Sequence, residues 1–98
     1  MSIREAYQDK LQAQLDEWSA DINKLKAEAH KAQADVQLEF YKEIEVLRTR
    51  KVAASANLVE LKAASDDVYK DMIASMDNTR ESIDRAMKSA IAKFKTTL

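Results

Sequence analysis

The stretch EAYQDKLQAQLDEW, residues 5–18, carries two aromatic side chains, Tyr7 and Trp18, eleven positions apart with leucines between them. Eleven residues at about 100° each turn a helix through about three full turns, so residues at this spacing lie nearly above one another. The same spacing leads from Trp18 through Ala29 to Phe40. These positions therefore predict one apolar stripe along a long helix.

The composition of the chain agrees with long helices. The 98 residues include no glycine, proline or cysteine, so the residues that most often mark turns are missing. Charged residues make up 34% of the chain, 16 basic against 17 acidic, which is typical of coiled coils and long amphipathic helices. We predict a single all-α domain over residues 1–98, an elongated coiled coil of long amphipathic helices with eleven-residue repeats, with a helical hairpin as an alternative.

The helix boundaries follow from capping patterns. Ser2 and Glu5 form an S-x-x-E capping box, which predicts that the first helix begins at Ile3. The apolar stripe continues past Leu47, and we predict that this helix runs to about residue 64. A second amphipathic helix is predicted over about 66–98.

The pattern leaves three candidate interruptions open, against plain continuation of the helix, and the first of them is the break between these two helices. In Ala63–Asp67 a serine or an aspartate could cap a new helix. Asn78–Glu81 is a second N-x-x-E capping pattern. A hairpin turn within Ala53–Asn57, near the middle of the chain, is the third.

The sequence gives little support for catalysis or for metal and cofactor binding. There is no glycine for a phosphate-binding loop and no thiol nucleophile. His30 is the only histidine and does not stand in a Glu-x-x-His motif. Glu39 and Glu43, one helical turn apart, could share a cation, but paired acids are common on solvated helix faces. We expect no enzymatic activity, no cofactor and no metal.

The charge pattern and the hydropathy bear on partners and location. Basic residues alternate with acidic ones and no aromatic residue lies among them in a loop, so nucleic acid is not expected as a partner. No apolar run approaches the roughly 20 residues that span a bilayer, and none follows the start of the chain. We predict a bacterial-type cytoplasmic protein.

A single long helix cannot bury its own apolar stripe, so the stripe should meet another helix, a second copy or a lipid surface. We expect self-association first, with another helical protein as a possible partner. The predicted oligomer seam comprises Tyr7, Leu11, Trp18, Ile22, Leu25, Val36, Phe40, Leu47, Leu58, Leu61, Met72, Met76, Ile83 and Met87.

Lipid is the second choice of partner. The segment 78–98 carries a net charge of +3 and has apolar residues on one side, as expected of a helix that lies in a membrane interface. Docking of this segment onto the first helix would explain the pattern equally well. The candidate lipid-facing residues are Ile83, Met87, Ile91, Phe94 and Leu98.

The sequence also resembles a known family. MSIREAYQDKLQAQLDEWSADINKLKAEAHKA (1–32), FYKEIEVLR (40–48) and LKAASDDVYKDM (61–72) resemble the small bacterial coiled-coil proteins of a stress-response family, over most of the chain. That family usually has tryptophan where Tyr69 stands, and glycines and further tryptophans in the C-terminal segment, which this chain lacks. The resemblance implies a cytoplasmic, non-enzymatic, stress-linked helical protein and supplies no binding site.

Overall fold

The computed structural model describes residues 2–97 and shows three helices: α1 (Ile3–Lys31), α2 (Ala34–Ala63) and α3 (Asp66–Thr97). The chain reverses direction twice, and the three helices pack side by side into a body measuring 50 × 20 × 17 Å. The prediction of an all-α, elongated fold is confirmed. The predicted end of the last helix at Leu98 lies outside the described residues.

The first helix begins where the capping box predicts. The Ser2 side chain accepts a hydrogen bond from the Glu5 backbone N–H at 3.1 Å, so one of the free N–H groups of the first turn is satisfied. Leu11, Trp18 and Leu25 then follow at seven-residue steps and are buried. The apolar stripe thus forms the inner face of α1.

The prediction of one helix from residue 3 to about 64 is wrong, because the chain turns back at Ala32–Gln33. Both residues have extended backbone with φ of −73° and −65°, so the turn requires no glycine. An unbroken helix would leave its apolar stripe without a partner, whereas the reversal lays α1 against α2 and buries both stripes. Burial therefore overrides the helical preference of the junction residues.

The second junction is the interruption predicted within Ala63–Asp67. α2 ends at Ala63, Ala64 and Ser65 connect the helices, and α3 begins at Asp66 with two acidic residues in its first turn. The other two candidate interruptions are wrong. Ala53–Asn57 lies within α2, where Ala54 packs against the core, and Asn78–Glu81 continues α3.

One hydrophobic core runs between the three helices. Trp18 from α1 is 2% exposed and Phe40 from α2 is 1% exposed. The Phe40 ring stacks on Phe94 of α3, with centroids 3.8 Å apart and planes 10° from parallel. Each of these rings buries a large apolar area, which is the main contribution of aromatic residues to a core. The core thus includes large side chains from every helix.

Candidate interaction surfaces

The predicted seam residues lie inside a single chain. Eleven are buried between α1, α2 and α3, and three are partly buried against the same core. The buried members are Leu11, Trp18, Ile22, Leu25, Phe40, Leu47, Leu58, Leu61, Met76, Ile83 and Met87, and the partly buried ones are Tyr7, Val36 and Met72. No second copy is needed to cover them, so self-association has to use other residues or an opened form of the chain.

The candidate lipid-facing residues are mostly covered as well. Ile83, Met87 and Phe94 are 2%, 1% and 1% exposed, because this face of α3 packs into the core. Ile91, at the edge of the face, is 37% exposed. Leu98 lies outside the described residues. The docking alternative for the C-terminal segment is therefore what the structure shows.

α2 carries exposed apolar side chains on its solvent side. Val52 and Val59 are 57% and 67% exposed, and Ala56 and Ala63 are exposed beside them. Steps of four, three and four residues place Val52, Ala56, Val59 and Ala63 on one line along the helix, which we call the α2 outer stripe. It lies on the side of α2 away from the core residues Leu58 and Leu61. α2 therefore carries apolar residues on two opposite sides.

The α2 outer stripe is not among the residues predicted from the sequence. The apolar pattern of α2 is dominated by Leu47, Leu58 and Leu61, whose larger side chains define the core side of the helix. A signal was nevertheless present, because a heptad-like spacing of valine and alanine runs through VAASANLVELKA, residues 52–63. Valine and alanine alone do not show which of two apolar faces turns inward.

Arg4 closes the end of the bundle where α2 meets α3. Its guanidinium donates hydrogen bonds to the backbone carbonyls of Leu61, Lys62 and Ala64, at 3.0 Å for Leu61, and pairs with Asp66 at 3.1 Å. It also lies 4.4 Å from the centroid of the Tyr69 ring. The last carbonyls of a helix lack partners within the helix, so a residue of α1 caps the C-terminus of α2.

A polar group links α1 to α3 next to this end. The Tyr7 hydroxyl donates a hydrogen bond to Asp77 at 2.7 Å, and the Arg80 guanidinium lies 3.8 Å from the same carboxylate. Burial raises the pKa of the Tyr7 hydroxyl well above its usual range, and the hydrogen bond to Asp77 raises it further. The proton on Tyr7 is therefore held firmly in the folded chain.

Trp18 lies beside a second polar group on α3. Asp84 pairs with Lys88 at 2.9 Å, and the hydrogen bond from Lys88 is the main cause that lowers the Asp84 pKa. The nearby Trp18 indole also lowers the Asp84 pKa, although its N–H group makes no hydrogen bond of normal geometry. Trp18 and Arg80 also line a partly open cavity of about 20 Å³, which has room for a single water. This space is too small for a larger ligand.

Glu39 and Glu43 share a cation supplied by the chain itself. The Lys93 ammonium of α3 lies 3.5 Å from Glu39 and 3.1 Å from Glu43. The hydrogen bond to Glu43 is the main cause that raises the Lys93 pKa. Within residues 2–97 no group of three or more acidic, histidine or cysteine side chains is arranged to hold a metal ion. The two glutamates thus help to fix α3 on α2.

Comparison with protein-family models, curated proteins and solved structures finds no match to this chain. Among the helices of the described chain, none has an apolar stretch long enough to cross a bilayer. The geometry of the three helices makes the α2 outer stripe the candidate interaction surface.

Proposed function

We propose that this protein is a non-enzymatic helical interaction module, acting in the cytoplasm, that self-associates through the α2 outer stripe. The observation that carries the proposal is the pair of apolar sides on α2. A helix that faces solvent on one side normally presents polar residues there. On α2 the solvent side instead presents Val52 and Val59, each more than half exposed.

The surroundings of the stripe support a protein partner. Ala56 and Ala63 alternate with the two valines, and such small side chains let two helices approach closely. Glu60 and Lys62 beside the stripe are exposed and opposite in charge. An apolar centre with a polar rim is the usual composition of a protein–protein interface. A second copy presents the same stripe, so twofold pairing is sterically simple.

The test is the solution mass of the full chain, measured by light scattering over a concentration series. We expect a dimer that the double substitution Val52→Glu and Val59→Glu converts to a monomer, since each glutamate would be desolvated in the interface. Helix content should stay unchanged because both positions are exposed. Val68→Glu is the matched control, since Val68 is 49% exposed on α3 and lies outside the stripe.

Two results would contradict self-association through the stripe. One is a wild-type chain that remains monomeric at high micromolar concentration. The other is a dimer, formed without heating and not lost on Ala34→Pro, that survives the double substitution. A wild-type monomer would direct attention to a different helical protein as the occupant of the stripe.

Binding to a membrane surface is the second candidate function. α3 favours it, because Ile83 and Phe94 share one face while Arg85 and Lys95 are exposed. That face is covered in the closed bundle, so binding would require α3 to move away from the core. We expect flotation with anionic vesicles, weakened by Ile91→Glu at the exposed edge of the face. No flotation of the wild-type chain would dismiss this candidate.

A link to stress is part of the proposal and rests on the sequence resemblance alone. The resemblance adds no residue to the surface and names no partner. The prediction is that the abundance of the protein in its host rises after osmotic, heat or oxidative challenge. Quantitative mass spectrometry of challenged and unchallenged cells would test it.

A further inference from the structure

The two junctions between helices differ in their side-chain capping contacts. At the α2–α3 junction, Arg4 caps the carbonyls of α2, and the Ser65 hydroxyl lies 3.5 Å from the Val68 backbone N–H. At the α1–α2 junction, the N-cap residue Gln33 makes no side-chain capping hydrogen bond. The connection between α1 and α2 is therefore the less strongly specified of the two.

The α1–α2 turn forgoes helical hydrogen bonds that its sequence would readily make. Ala32 and Gln33 differ from helical residues mainly in ψ, which is 156° and 152°. Both residue types, and Ala34 after them, are compatible with a helix interior. The polar contacts that hold the turn closed come from Gln37, whose side chain donates to the Ala29 and His30 carbonyls at 3.2 and 3.5 Å, and from the Tyr41–His30 contact at 2.9 Å.

The inward-facing positions of α1 and α2 are symmetric about this turn. Arg4 and Leu61, which are joined by a hydrogen bond, lie equally far along the chain from the Ala32–Gln33 peptide. Several core positions of the two helices follow the same symmetry, although Leu15 is symmetric with the exposed Arg50. Three further pairs are equally far from the turn: Leu25 and Phe40, Trp18 and Leu47, and Leu11 and Ala54.

The same symmetry would allow α1 of one copy of the chain to pair with α2 of a second copy. Antiparallel pairing of α1 with α2 requires only that symmetric positions meet. It does not require that the two helices belong to one chain. In a twofold dimer residue i meets residue j and j meets i, which is the relation that the hairpin already shows.

We propose that the protein exchanges α1 with a second copy, with α1 and α2 fused through Ala32–Gln33 into one helix of about 90 Å. Two fused helices lie antiparallel about a twofold axis at the junction, and each α3 packs at one end. Arg4 of one copy then caps α2 of the other, and the core contacts of α1 are remade between chains. The α2 outer stripe takes no part, so this mode of assembly is independent of the proposed function.

The experiment measures a distance within one chain. The protein has no cysteine, so Asp16→Cys and Thr49→Cys, both at exposed positions, accept spin labels specifically. In the hairpin the two positions lie opposite each other across a body whose short dimensions are 20 and 17 Å. In the fused helix 33 residues separate them, which gives about 50 Å. A tenfold excess of unlabelled chain removes distances between labels on different chains.

Two variants shift the exchange in opposite directions. Ala34→Pro fits the closed turn, because proline is favoured at the first helical position and Gln33 already has the extended backbone that proline requires before it. In the fused helix the same proline would remove a hydrogen bond and clash with the preceding turn. Gln37→Ala removes contacts that exist only in the closed form.

After concentration, or after heating to the unfolding midpoint and cooling, we expect the dimer fraction of the wild type to show the distance of about 50 Å. Gln37→Ala should enlarge that population at least twofold, and Ala34→Pro should abolish it while the monomer keeps its helix content. A dimer showing only the short distance would overturn the proposal. So would the absence of a dimer, or persistence of the long distance in Ala34→Pro.

The same labels separate this mode from pairing through the α2 outer stripe. A side-by-side dimer retains the short distance and is lost on Val52→Glu with Val59→Glu. An exchanged dimer shows the long distance and is lost on Ala34→Pro. Failure of either assembly is therefore visible without failure of the other.

Discussion

At the scale of single residues, Tyr7 shows what packing adds to a sequence pattern. The eleven-residue spacing predicts its ring on the inner side of α1, and the ring is partly buried there, 6.4 Å from the Tyr69 ring. The partner of its hydroxyl, Asp77, is seventy residues further along the chain. Spacing within a helix indicates which side of that helix is apolar. It does not indicate which polar atom of another helix lies opposite.

The raised pKa of Tyr7 predicts a loss of stability at alkaline pH. The ordinary pKa of the tyrosine hydroxyl is 10.0, and the folded chain keeps the proton to higher pH than the unfolded chain does. The stabilisation is fully present below pH 10 and falls as the pH rises beyond it, because the unfolded chain then binds fewer protons. We expect the free energy of unfolding, measured in urea, to decline above pH 10.

Tyr7→Phe tests the origin of this decline. The variant lacks the hydrogen bond to Asp77 and should lose about 0.5 to 1.5 kcal/mol at neutral pH. Its decline above pH 10 should be shallower than that of the wild type. Some decline should remain, since the pKa values of Lys88 and Lys93 are also raised and their contributions are lost as the pH rises through those raised values. An equally steep decline in Tyr7→Phe, with Tyr41→Phe as the control, would show that Tyr7 is not its source.

At the scale of helices, the sequence predicts some ends and misses others for a physical reason. Ser2 and Ser65 mark helix starts through local capping chemistry, which is readable from neighbouring residues. The turn at Ala32–Gln33 has no local capping residue. Its position is determined by the burial of the two apolar stripes and by the hydrogen bond from the Gln37 side chain to Ala29. Likewise, the sequence places Arg4 in the first turn of α1, but Arg4 caps the C-terminus of α2, nearly sixty residues away.

Arg4→Met should therefore destabilise the end of a helix to which Arg4 does not belong. The variant leaves carbonyls at the C-terminus of α2 without donors and removes the pair with Asp66. We expect a loss of about 1 to 3 kcal/mol in the free energy of unfolding, together with faster amide exchange at the start of α3. Arg48→Met removes an exposed pair within α2 and should cost at most about 0.5 kcal/mol.

Arg4→Lys separates charge from geometry at this end. Lysine keeps the positive charge near Asp66 but has no planar fork to reach several carbonyls at once. We expect it to recover less than half of the loss seen in Arg4→Met. A full recovery would mean that Arg4 acts through its charge, and equal effects of Arg4→Met and Arg48→Met would remove the capping role.

At the scale of the whole molecule, the three helices share one core and no two of them form a separate unit. Phe94 of α3 stacks on Phe40 of α2, and Trp18 of α1 is buried in the same cluster. The arrangement shows why apolar spacing predicts which side of each helix is covered but not which helix covers it. Each stripe can be covered by any amphipathic helix, and only the positions of the two turns decide that the covering helices come from the same chain.

A shared core predicts that the bundle unfolds in one cooperative step. Trp18, the only tryptophan, reports on the core between α1 and its neighbours, and far-ultraviolet circular dichroism reports on all three helices. In urea the two signals should change with the same midpoint and slope, as in two-state unfolding. Because Trp18 lies against α3, a change in Trp18 fluorescence before most of the circular dichroism is lost would reveal a state in which α3 has left the core, and that opened state is the one that membrane binding would require. Coincident transitions would instead mean that opening α3 costs nearly the whole stability of the fold, so a lipid surface would have to supply that free energy.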